Sequence, residues 1–228
     1  MCIARFVVTP SVSVLALAAV TSTASAGVIG FNEWFSTGDA SWRGASSATT
    51  LAWTNGGGPD GVSYVTSSHN LSTTQAGGTP QTVIRASAAA GSSGLGYAGD
   101  WASEGVTGVS FWFRHDLAES VSLTLRVASP QNYPGASAFD GLSIAANTWT
   151  QVEFDLSPVG GEWVSFEGTS YGVALSNVGT MQIGFIVPAS LAGQDFTGHF
   201  DMTGFTVVPG PGALALLGLG GLVARRRR

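Results

Sequence analysis

The chain is predicted to fold as an all-β protein, an antiparallel β-sandwich flanked by an N-terminal signal peptide and a C-terminal apolar helix. Three observations predict the sandwich. Apolar residues recur at every second position in short runs, Gly, Ser, Asn and Pro separate the runs, and no segment of helical length carries an apolar stripe. Period-two spacing puts one face of a strand on a core and the other toward water. Half-polar strands joined by turn-rich loops are the pattern of antiparallel sheets packed face to face.

The elements follow in order. Short strands are predicted at residues 50–54, 62–66 and 82–86. Val109, Phe111 and Phe113 then alternate with Ser110, Trp112 and Arg114. Val121, Leu123, Leu125 and Val127 do the same against Ser122, Thr124 and Arg126. After Asn147-Thr148-Trp149, the apolar face is Val152, Phe154 and Leu156, with Gln151, Glu153 and Asp155 opposite. Met181, Ile183, Phe185 and Val187 continue the pattern, and residues 199–208 close it.

Both ends carry sorting chemistry. Near the start, Arg5 is the sole charge before Glu33, residues 12–20 are largely apolar, and Ala24-Ser25-Ala26 offers small residues for cleavage. This is the pattern of a secretory signal peptide with Gly27 as the first mature residue, and it implies an export translocase as partner. At the other end, residues 212–224 form an uncharged run closed by Arg225, Arg226, Arg227 and Arg228. A span needs about 20 apolar residues, reached here by counting back through residues 205–211. Arginine excess marks the cytoplasmic side, so the tail reads as a marginal membrane anchor with its C-terminus inside. The expected organisation is a signal peptide at 1–26, a sandwich domain at 27–206 and an anchor segment at 207–228. The sandwich is thereby exported, held at the cell surface or released to the extracellular matrix.

The sandwich segment, of about 180 residues, is long enough for one domain with a substantial core. It holds all fourteen acids but only Arg43, Arg85, Arg114 and Arg126, and no lysine, for a net charge of −10. Such a body repels a phosphate backbone, which excludes nucleic acid as a partner. The single cysteine, Cys2, falls in the signal peptide, so the exported domain has no disulfide.

Val208-Pro209-Gly210-Pro211, the apolar run and the arginines together resemble the PEP-CTERM sorting signal of bacteria that make extracellular polysaccharide. Gly210 stands where that family carries glutamate. The resemblance implies processing by an exosortase, a membrane transpeptidase-like enzyme. In the body, Phe31-Asn32-Glu33, Gly38-Asp39-Ala40-Ser41-Trp42, residues 53–61 leading to Tyr64, residues 149–156 and His199-Phe200-Asp201 resemble laminin-B-like and carbohydrate-binding jelly rolls. That resemblance implies a jelly-roll fold and a structural Ca²⁺ held by oxygen ligands, Glu33 near the first strand and Asp201 in the last, with Asn32 beside them.

Candidate chemistry within the body is sparse. Gly94-Leu95-Gly96-Tyr97-Ala98-Gly99 fits G-x-G-x-x-G in letters, but no helix follows to meet a pyrophosphate, so it reads as a loop. Glu153 and Asp155 share a strand face as in laminarinase-type glycosidases, yet Pro158 occupies the place of the third carboxylate. They read as a solvated face rather than a catalytic pair. His69, His115 and His199 match no metal-ligand spacing. Trp42, Trp53, Trp101, Trp112, Trp163, Tyr97, Tyr133 and Tyr171 include candidates for stacking on sugars, because aromatic faces pack on apolar C–H faces. Trp112, pointing away from Phe111 and Phe113, is the leading ligand-binding candidate. The function expected is an exported, non-enzymatic β-sandwich associated with the cell surface or matrix. The alternatives are a carbohydrate-binding module and a divergent jelly-roll glycoside hydrolase.

Overall fold

In the computed structural model, which describes residues 28–78 and 80–211, the period-two rows become the strands of two antiparallel sheets. In chain order the strands are β1 (Asn32–Glu33), β2 (Ala52–Thr54), β3 (Tyr64–Asn70), β4 (Gln81–Ser87) and β5 (Val106–His115). They continue with β6 (Val121–Ala128), β7 (Gly135–Ile144), β8 (Thr150–Asp155) and β9 (Trp163–Ser165). A five-residue helix, α1 (Tyr171–Leu175), precedes β10 (Thr180–Ile186) and β11 (Thr197–Pro209). The first sheet has the order β2-β3-β11-β5-β8, with β1 also paired to β11; the second has the order β4-β10-β6-β7-β9. The chain is thus the antiparallel sandwich that its alternation predicts.

The core lies between the sheets and is built from the predicted apolar rows. Phe111, Phe113, Phe154, Phe200 and Phe205 come from the first sheet, and Leu123, Leu125, Val127, Ile183 and Phe185 from the second. Phe185 and Phe200 meet across the interface with ring centroids 4.9 Å apart. Burying each such side chain contributes about 1.5–3 kcal/mol, which is how a domain without a disulfide holds its sheets together.

Two features depart from the sequence expectation. Strand β7 is ten residues long and was not anticipated, because Gly135, Ala136, Ser137 and Ala138 offer no bulky alternation. Only Ala136 and Ala138 of that stretch enter the core, packing as small residues against neighbouring strands. Strand β11 carries a bulge between Thr203 and Thr206, so its buried series runs Phe200, Met202, then Phe205, Val207. The phase change is made by Gly204, whose φ of +64° is open to glycine at little cost. The glycine-rich 94–99 segment is a loop, as its sequence predicts, and it packs on the core. Tyr97 and Trp101 are fully buried there, with the Tyr97 hydroxyl donating to the Gly179 carbonyl at 2.9 Å.

The ends are partly visible. β11 runs past residue 206 to Pro209, so Val207, Val208 and Pro209 complete the last strand. Among the described residues, no helix is long and apolar enough to cross a membrane. Ala24, Ala26, Gly27, Arg225, Arg226, Arg227 and Arg228 lie outside the described residues.

Candidate functional site

The outward face of the second sheet forms a cleft of about 470 Å³. Its floor follows from register. Gly184 of β10 lies opposite Thr82 of β4 and Thr124 of β6, and Thr124 lies opposite Phe139 of β7. One row further along, Gln182, Arg126 and Ser137 stand side by side. Gly184 makes the trough: a Cβ there would sit 2.8 Å from the Gln81 carbonyl oxygen and 2.9 Å from Thr124 Oγ1. Pro80, Phe139, Val164 and Ile186 supply apolar walls.

At one end of the cleft, the polar groups are locked to one another. Arg126 donates through Nε to Glu167 Oε1 at 2.5 Å and through Nη2 to Glu167 Oε2 at 2.9 Å. It also donates to Asn132, through Nη1 to Oδ1 at 2.9 Å and through Nη2 to the backbone carbonyl at 2.8 Å. Gln182 Nε2 donates to the same Asn132 Oδ1 at 2.7 Å, and the Thr82 hydroxyl donates to Gln182 Oε1 at 3.1 Å. The Arg126 hydrogen bonds and charge hold the Glu167 carboxyl below its ordinary range. Asn132 and Glu167 both have left-handed backbones, with φ of +65° and +49°. For Glu167 that conformation costs of order 1 kcal/mol, which the bidentate pair offsets.

What the network leaves over faces the cleft. Among the described residues, the Thr124 and Ser137 hydroxyls and the Asn132 Nδ2 group have no protein partner. The arrangement offers a planar guanidinium and two planar amides, fixed in place, beside free hydroxyls and apolar walls. Such a surface matches a ligand with many hydroxyls on an apolar frame. Among the described residues, Glu167 is the one carboxylate lining the cleft, and it is paired with Arg126. Two-carboxylate glycoside hydrolysis needs a second acid at that point.

The residues singled out from the sequence fall elsewhere. Glu33 lies opposite Phe205, on the core side of β11, and its carboxylate accepts from the Phe35 amide at 2.8 Å and the Ser93 hydroxyl at 2.7 Å. Asp201 lies on the outer face of the first sheet, accepting from the Thr66 hydroxyl at 2.6 Å and from Arg114 Nε and Nη2 at 2.8 and 2.6 Å. The two acids share neither a face nor a partner, and all four oxygens are taken by protein donors. They do not fit a common Ca²⁺, and among the described residues no three of His, Cys, Asp and Glu converge on a point. Asn32 does not change this, since its side chain turns back to the Gly30 carbonyl.

Trp112 lies on the outer face of the first sheet, opposite Thr203 and Gln151 and half-buried. Trp42, Trp101 and Tyr97 are core. Trp53, Trp163 and Tyr171 cover sheet edges, and Tyr133 is exposed beside the cleft with its hydroxyl on the Glu167 carbonyl at 3.3 Å. Glu153 and Asp155 are exposed on edge strand β8, away from the cleft. The histidines are apart in role: His115 is buried with Nε2 3.0 Å from the Ile144 carbonyl, His69 is half-buried, and His199 pairs with Asp116. Sequence reasoning missed the cleft residues. Arg126 was one of only four arginines in the body, which was its one available signal.

No family model matches the chain, and no curated protein matches it. Among solved structures, it is similar to a family 11 carbohydrate-binding module of Clostridium thermocellum in complex with a β-1,3-1,4-mixed-linked tetrasaccharide. The identity is 13%, the TM-score 0.43, and the alignment covers 79% of this chain and 96% of that one. It is also similar to the CBM22-1–GH10 modules of a Clostridium thermocellum endo-1,4-β-D-xylanase, with 10% identity and a TM-score of 0.42. There the alignment covers 78% of this chain and 28% of the xylanase chain, so the present chain spans under a third of that protein. An agarase is similar at 14% identity and a TM-score of 0.34, over 65% of this chain and 19% of that one. At these scores the likeness carries neither ligand nor activity to this chain, whose own residues must supply both.

Proposed function

We propose that the protein is an exported, non-enzymatic carbohydrate-binding β-sandwich that takes a neutral glycan into the cleft of its second sheet. The observation that carries this reading is the Thr82–Gln182–Asn132–Arg126–Glu167 chain of hydrogen bonds in a cleft also lined by Phe139 and Val164. Glycan hydroxyls are met by fixed planar donors and acceptors, and the apolar ring faces by the walls. The guanidinium charge is already balanced by Glu167, so a neutral sugar suits the site better than an anionic one. With one salt-bridged carboxylate at the cleft, binding rather than glycoside hydrolysis is its chemistry.

Delivery is part of the proposal. The signal peptide directs export through a translocase, and the PEP-CTERM-like tail brings the chain to the membrane and an exosortase. The protein is then presented at the cell surface or in the matrix, where extracellular polysaccharide is the available partner. An array of neutral and uronic-acid oligosaccharides, probed with the full chain in mild detergent, tests the binding. At least one neutral glycan should be retained, and N132A/Q182A should lose it. Retention of uronic-acid glycans alone would reject the neutral-ligand reading.

A further inference from the structure

Seven tryptophans occur in the chain, and all lie among the described residues. Four have their indole N–H satisfied within the protein. Trp42 donates to Ser93 Oγ at 2.7 Å, Trp53 to the Phe35 carbonyl at 2.6 Å, Trp101 to the Tyr97 carbonyl at 2.7 Å and Trp163 to the Leu156 carbonyl at 3.3 Å. These are structural rings with structural polar ends. The other three behave differently. Among the described residues, the N–H groups of Trp34, Trp112 and Trp149 meet no protein acceptor, and that of Trp149 is enclosed as well. All three are placed by register on the outer face of the first sheet. Trp112 is on β5 opposite Thr203, Trp149 directly precedes the Thr150–Phe113 pair, and Trp34 follows the Glu33–Phe205 pair.

The strand beneath them is shaped to carry rings. Gly204, at the β11 bulge, has Trp34 and Trp112 on either side: a Cβ there would lie 2.8 Å from Trp34 Cζ3 and 3.3 Å from Trp112 Cδ1. Both indoles therefore lie against the bare backbone of Gly204. Beside them, the Arg114 guanidinium lies 4.6 Å from the Trp149 ring centroid and 5.3 Å from that of Tyr64. Its charge is balanced by Asp201 at 2.6 Å. The surface thus combines flat aromatic faces, the unpaired N–H donors of Trp34 and Trp112 and no net charge of its own, with exposed Glu153 and Asp155 flanking it on β8. Apolar protein partners would leave those donors unsatisfied, and anionic polymers would be repelled by the acidic flank. A saccharide chain has both the apolar ring face and the acceptor hydroxyls that the surface lacks.

We infer that the Trp34–Trp112–Trp149 face is a second, open binding surface on which the flat face of a neutral polysaccharide stacks, on the opposite side of the sandwich from the cleft. One molecule then holds a polymer surface with one sheet and a separate glycan chain with the other.

Co-sedimentation of the full chain in mild detergent with insoluble cellulose, chitin and β-1,3-glucan tests this surface, using W34A/W112A, W34Y/W112Y and the cleft variant N132A/Q182A. The wild type should be retained by at least one polymer, with W34A/W112A weakened roughly tenfold or more. W34Y/W112Y should keep most of the retention, which separates ring stacking from a folding defect, and N132A/Q182A should keep it as well. Retention by none of the polymers, or retention unchanged in W34A/W112A, would overturn the inference. Retention lost only in N132A/Q182A would assign the polymer to the cleft and also overturn it.

Discussion

Gly204 joins backbone and surface in one residue. Its positive φ lets β11 add the extra residue that returns Phe205 and Val207 to the core, and its missing side chain gives Trp34 and Trp112 a common floor. Gly204→Ala should therefore destabilise the fold by about 1–3 kcal/mol, measured by urea denaturation, and shift the fluorescence of the two neighbouring tryptophans. Asp140 is a second residue with a measurable consequence. Burial pushes its carboxyl up to about 6, with the Glu162 charge adding to the effect, and its Oδ2 is enclosed without a partner. Between its ordinary value and about 6, the folded chain keeps a proton that the unfolded chain has lost. Stability from this residue consequently falls as pH rises through that window and levels off above it. Asp140→Asn should flatten that part of the stability–pH curve relative to wild type, as read from urea midpoints at steps of pH. At this scale, the sequence made the outward direction of Trp112 legible, because alternation alone sets it. The pairing of Asp201 with Arg114 was not legible, since it depends on which strand stands beside β11.

Among the elements, β6 and β7 build the cleft, and they differ in how openly their sequences declare it. β6 alternates Val121, Leu123, Leu125 and Val127 with Thr124 and Arg126, so both its core face and its cleft face can be read directly. β7 hides the same role behind Gly135, Ala136 and Ala138, whose small size is required by close packing rather than by strand propensity. A Cβ on Gly135 would lie 2.7 Å from the Val127 carbonyl oxygen. The bulge of β11 similarly blurs a strand that otherwise alternates cleanly. The clasp from Arg126 to Glu167 ties β6 to the segment following β9, across 41 residues of chain. Both side chains are about four-fifths shielded from solvent. A double-mutant cycle with Arg126→Met and Glu167→Gln should give a coupling of about 1–3 kcal/mol in stability. Coupling near zero would mean that the left-handed backbone at Glu167 is held by something other than this pair.

For the whole molecule, fold class was the most legible property, because a period of two repeated over many segments leaves few architectures. The cleft was not legible. It arises where Thr82, Gln182, Arg126 and Glu167 are brought together from four separate chain segments, and no spacing along the chain records that meeting. The proposed route of delivery makes its own prediction: mass spectrometry of the protein exported from a host with a suitable signal peptidase should find Gly27 at the mature N-terminus. The central claim is glycan capture by the cleft, and the side-chain amide resonances of Asn132 and Gln182 report on it most directly. Heteronuclear NMR of the isotopically labelled full chain should be recorded during titration with a mixture of neutral gluco-, xylo- and manno-oligosaccharides. The account predicts saturable shifts of both amide pairs and of the Arg126 Nε–H signal. If these resonances stay unmoved at millimolar sugar while the protein remains folded, the cleft is not a glycan site and the claim is contradicted.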